Sequence, residues 1–206
     1  MIWIGIDCGL SGAIGVHSSS EPPTIYKAPV DKITDKKSAY SRWYNVDKIV
    51  ALFMELNDLD LVGNIVLEYQ RPYGGQGIVS TFRLARGFGV YEGVLSSVFK
   101  GRTINVVDPK MWQNILGKKY LTQEERVCFN KKDPSPIYDR IDNLEYREWY
   151  IKKMGNKSTN LAKMKTAYLL YKAGGIEHVN WKDDNLVDAY MIALYSKLTS
   201  SYSFPK

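Results

Sequence analysis

Residues 2–17 read IWIGIDCGLSGAIGVH, two apolar runs joined by a glycine-rich connection, with Asp7 closing the first run. Runs of this kind read as paired strands, and Gly9 and Gly12 give the joint its tight backbone geometry. An ionisable group at a core-delivering strand costs several kcal/mol if it is buried without a partner. One such acid is weak grounds for a site. The question is whether other carboxylates converge on it.

Outward from this pair, PPTIYKAP (22–29) reads as an edge strand, because its prolines exclude a central position. Residues 31–43 are polar and read as a loop. Val46, Ile49, Val50, Phe53, Met54 and Leu56 then repeat at helical spacing behind Asn45, a natural N-cap. NIVLEYQ (64–70) is a short buried strand carrying Glu68 at its end. The glycine-rich loop RPYGGQG (71–77) precedes a helix over 77–98, whose apolar face holds Ile78, Phe82, Ala85, Tyr91, Val94 and Leu95. RTINVV (102–107) is a further strand, and DPKMWQNILG (108–117) a helix opened by Pro109. Residues 118–156 form a charged helical excursion, broken at KKDPSP. A capped helix follows and is stopped by Gly174 and Gly175, and the last helix begins near Asp184. The order predicts a single α/β domain over 1–206, a mixed sheet with helices on its faces.

With 206 residues, 45% of them hydrophobic, the chain can build one proper core. No apolar run nears the ~20 residues of a membrane helix. No basic and apolar leader precedes Ile2, so an intracellular protein, not a secreted one, is expected. Cys8 and Cys128 lack the paired spacing of a zinc site or disulfide framework, and the isolated His17 and His178 read as packing or surface residues. The net charge of +6 is uneven: positions 100–172 hold 16 Lys+Arg against 8 Asp+Glu, and the remainder 12 against 14. The basic excess therefore lies in one stretch, as a surface meeting a polyanion requires, although a solvated helical face has the same composition.

Asp7 and Glu68 each close an apolar strand, and open α/β sheets bind ligands at the carboxyl ends of neighbouring strands. Asp184 and Asp188, four apart, share one helix face. Such an oxygen-rich, nitrogen-poor set suits Mg²⁺ or Mn²⁺. A pair of these ions activates water and stabilises the leaving oxygen in phosphodiester cleavage. The competing structural roles are a turn capped by Asp7, a Glu68–Arg71 pair, and Asp184 as an N-cap.

GIDCGLSGAIGV (5–16), VLEYQRP (66–72), VVDPKMWQNILG (106–117) and DDNLVDAYMIAL (183–194) resemble, in order, the motifs of the RuvC-type Holliday junction resolvases of the ribonuclease H-like superfamily. The resemblance implies a ribonuclease H-like mixed five-stranded sheet, a homodimer, and two Mg²⁺ or Mn²⁺ ions per active site. The implied activity is resolution of four-way DNA junctions by paired phosphodiester cleavage. Asp7, Glu68 and Asp188 match the family's carboxylates. Many relatives carry an acid or histidine three positions before the last one. Here that position is Asn185, so Asp184 is the expected fourth ligand and Asn185 the alternative.

For DNA, Arg71 is expected on a phosphate and Tyr73 on an unstacked base at the junction centre. Lys118, Lys119, Lys131 and Lys132 are expected along the DNA arms, and the 77–98 helix at the dimer interface. A compact nuclease without a leader suits a phage or other virus working in an infected host cell. The competing functions are a ribonuclease H-like enzyme on RNA–DNA hybrids and a non-catalytic junction-binding protein. Actin-like and sugar-kinase ATPases share the glycine-rich first motif but need two such domains.

Overall fold

The computed structural model describes residues 1–33, 42–59, 61–72, 75–133, 135–155 and 160–200. Its central sheet has the order β3-β2-β1-β6-β7, with β1 Ile2–Asp7, β2 Ala13–Ser18, β3 Thr24–Lys27, β6 Val62–Glu68 and β7 Ile104–Val107. β1 pairs antiparallel with β2 and parallel with β6, and β6 pairs parallel with β7. The sheet is thus mixed and five-stranded, as expected, with the proline-flanked β3 at its edge.

Between β3 and β6 the stretch read as a loop differs at its ends. β4 Val30–Lys32 and β5 Arg42–Tyr44 pair antiparallel as a separate two-stranded sheet. Three-residue strands are too short for alternation to show in a sequence. Tyr44 explains why this hairpin stays: its buried hydroxyl donates to the Cys8 carbonyl at 2.9 Å.

Helices cover both faces. α1 Val46–Asp58 starts where Asn45 accepts a hydrogen bond from the Lys48 amide at 2.9 Å. With α2 Ile78–Val98 it packs on Ile4, Ile6 and Leu67, adding Ile49, Phe53, Tyr91 and Leu95 to a mainly aliphatic core. α2 is apolar along its length but buried only in its later turns: Ile78 is 89% and Phe82 51% exposed.

The opposite face carries α3 Pro109–Tyr120, α4 Gln123–Asn130, a 3-10 helix over Ser135–Arg140, α5 Leu144–Met154, α6 Leu161–Lys172 and α7 Asp184–Thr199. The described residues of the charged stretch 118–156 are mostly helical, and Phe129, Ile137, Tyr146 and Tyr150 join Tyr168 and Ile192 in one aromatic-rich core. No helix among the described residues is long and apolar enough to cross a membrane.

α7 lies directly on the sheet. A Cβ added to Gly5 or to Gly15 would strike the α7 backbone, at Ala193 and Ala189 respectively. Neighbouring residues of β1 point to the other face. Two glycines therefore let the last helix approach the first hairpin.

Candidate functional site

In the parallel register of β1 and β6, Ile6 stands beside Leu67, so the next residues, Asp7 and Glu68, end side by side. Both are 8% exposed. α7, held close by the glycines, brings Asp188 to the same end of the sheet.

The three acids feel one another. Burial, then the charges of Asp7 and Asp188, push the Glu68 pKa up to about 8, against a hydrogen bond from Trp112. Burial and the Asp7 charge raise Asp188 to about 7, opposed by Lys163. Burial likewise raises Asp7, although the Gly9 amide and Lys163 favour its charged form. Like charges packed out of water are costly unless a cation joins them.

Two neutral donors hold this arrangement. The Trp112 indole donates to Glu68 Oε1 at 2.8 Å. The Gln70 amide donates to Glu68 Oε2 at 3.1 Å and more weakly to Asp7 Oδ1 at 3.4 Å. Trp112 is fully buried and reaches Glu68 because β7 pairs with β6 and Pro109 starts α3 immediately after it. Neither role is apparent from sequence. The visible signal was a tryptophan three residues past a helix-opening proline.

The competing structural roles are only partly realised. Asp7 does cap its own turn, accepting from the Gly9 amide at 3.1 Å. Arg71 pairs with Asp108 at 2.7 Å and not with Glu68. The N-cap of α7 is Asp183, which accepts from the Asn185 amide at 3.2 Å. Asp184, in the first turn, is bridged by Lys153 and by Lys163, the latter at 3.3 Å. It stands with lysines, one turn from the acid trio. The Asn185 side chain turns to Asp183 at 3.4 Å.

Among the described residues, no three His, Cys, Asp or Glu side chains close around a point that could hold a metal ion. What the trio offers is the donor chemistry: three carboxylates from three elements, their mutual repulsion offset only in part by Lys163 and Lys153.

Arg71 borders a cleft of about 290 Å³ that Glu68, Gln70 and Lys110 also line. Tyr73 lies outside the described residues. Lys118 and Lys119 are exposed in the last turn of α3, and Lys131 and Lys132 are exposed just past α4. The described contacts bring none of the four to the acids.

No family model and no curated protein matches the chain. Its structure is similar to that of Thermus thermophilus RuvC, with a TM-score of 0.52 at 15% identity, over 98% of this chain and 96% of that one. The fold is RuvC-like. At that identity the likeness speaks for the architecture, and the roles of Asp7, Glu68 and Asp188 rest on their own geometry.

Proposed function

We propose that the protein is a divalent-metal-dependent endonuclease that resolves four-way DNA junctions. One observation carries this reading: the β1–β6 register ends the buried Asp7 and Glu68 side by side, and the close approach of α7 brings the half-buried Asp188 near enough for the three to repel one another. Oxygen donors of this kind fit Mg²⁺ or Mn²⁺, for which Asp7, Glu68 and Asp188 are the proposed ligands and Asp184 a fourth. Bound there, such ions supply water activation and charge stabilisation for phosphodiester cleavage. Trp112 and Gln70 orient the Glu68 carboxylate. Arg71, Tyr73 and the lysines at 118, 119, 131 and 132 are the proposed DNA contacts.

Two cuts across a junction call for two symmetric sites, so the active form is read as a homodimer. Ile78, Val79 and Phe82, all exposed on α2, offer the apolar surface for it. The free thiols of Cys8 and Cys128 agree with an intracellular protein, and the reading suits a virus at work in an infected host.

The test is incubation with a labelled immobile junction, a duplex and an RNA–DNA hybrid, each with Mg²⁺, Mn²⁺ or EDTA. Metal-dependent paired nicks in the junction are expected. Cleavage of the hybrid alone moves the protein to the ribonuclease H class, and metal-independent binding without cleavage makes it a junction-binding protein.

A further inference from the structure

The basic excess of the sequence lies at 100–172, yet the fold builds a second cationic site from outside that stretch. The β4–β5 hairpin, the start of α2 and the β1–β2 turn border an open cleft of about 240 Å³, where Ser11, Arg42, Gln76, Ser80 and Arg83 stand beside an apolar floor of Leu10, Tyr44 and Leu84. Arg42 donates to Ser11 Oγ at 2.9 Å. Arg86 lies 3.5 Å from the centre of the Trp43 ring, fastening the hairpin to α2 and so fixing where Arg42 stands. Ser80 is in the first turn of the 21-residue α2, whose amino end carries partial positive charge.

We infer that this cleft seats a backbone phosphate of the nucleic acid, on the side of the acid trio away from the lysine-rich helices. Two guanidiniums with hydroxyl and amide donors match phosphodiester oxygens, which accept from several directions at once. The location ties the cleft to the chemistry. Ser11 lies four residues past Asp7 on the same turn, and the hydroxyl of Tyr44 is bonded to the Cys8 carbonyl next to Asp7. A strand with one phosphate at the trio would have another of its phosphates here. The inference rests on the nuclease reading and adds a contact to it.

The test is the salt dependence of junction binding without metal, by anisotropy of a labelled four-way junction in EDTA. Each phosphate neutralised contributes roughly −0.9 to the log–log slope. Arg42→Ala with Arg83→Ala should flatten the slope by about 1. Arg42→Lys with Arg83→Lys should keep the parent slope, because charge is retained. Arg42 is exposed, so Arg42→Ala alone should fold normally and give part of the change. An alanine pair with the parent slope overturns the inference, and so does a lysine pair that loses as much as the alanine pair. A parent protein that binds no junction overturns the nuclease reading itself, a distinct result.

Discussion

Glu68 and Glu125 are both buried acids, 8% and 1% exposed, and their surroundings are opposite in kind. Around Glu125, burial works against the charge but is outweighed by the Tyr168 hydroxyl at 2.7 Å, the Thr122 amide at 2.8 Å and Lys172 at 3.3 Å, so its pKa is lowered. Around Glu68 the nearest charges are other carboxylates, and its pKa rises to about 8. Glu125 knits α4 to α6 as part of the helical core. Glu68 is left with a demand that the chain itself does not meet. Burial alone does not mark a site, whereas burial beside charges of the same sign makes Glu68 a candidate for one.

The largest effect that contrast predicts is on cleavage. Asp7→Asn, Glu68→Gln and Asp188→Asn should each lower junction cleavage by roughly 10²–10³-fold or more, with binding nearly intact. Single-turnover cleavage and a binding titration check it, and a variant that still cuts at the parent rate leaves the site. Next, Trp112→Phe keeps an aromatic side chain, though a smaller one, and removes the donor to Glu68 Oε1. A loss of roughly 10–100-fold in activity or metal affinity is expected, as for other outer partners of metal ligands.

The two acids should also oppose each other in pH. Glu68 and Asp188 have raised native pKa values, so their own contribution to the stability of the metal-free fold is fully present below about 4. That contribution, on the order of a few kcal/mol, is lost progressively as pH rises from about 4 through 7 to 8. Glu125 has a lowered native pKa, so its contribution is present above its ordinary value near 4.5 and is lost as pH falls. Denaturant midpoints in EDTA should therefore drop between pH 5 and pH 8. Added Mg²⁺ or Mn²⁺ should restore them most at the alkaline end. A flat profile in EDTA removes the electrostatic coupling.

Glu125→Ala should cost about 1–3 kcal/mol by leaving buried donors unmet, and the folded variant should cut at the parent rate. A catalytic defect in a folded Glu125→Ala would erase the distinction drawn here. The smallest effect is expected at Asp184→Asn, a few-fold loss of cleavage, since two lysines already serve that carboxylate. If Asn185→Ala proves the more damaging change, the fourth oxygen comes from Asn185.

Much of this was legible before any coordinates. The apolar runs closed by Asp7 and Glu68 are strands ending there, and Asn45 and Asp184 mark helix starts to within one residue. These signals are local, set by alternation, capping and turn chemistry. What stayed hidden needed distant partners. Trp112 meets Glu68 across 44 positions, and Lys153 meets Asp184 across 31. The apolar stripe of α2 specified its helix but not its cover: Ile78 and Phe82, on that stripe, stand exposed. The β4–β5 hairpin held too few residues per strand to show a period.

The glycines under α7 give the molecule an unusual kind of vulnerability. At Gly5 and Gly15 the position of Asp188 is governed by empty space, the width of a gap between a sheet and a helix. A single methyl group at either place would act as a shim, lifting the helix and separating the acid it carries from the two beneath. Catalytic competence would then depend on positions that have no side chain, bind nothing and bear no charge.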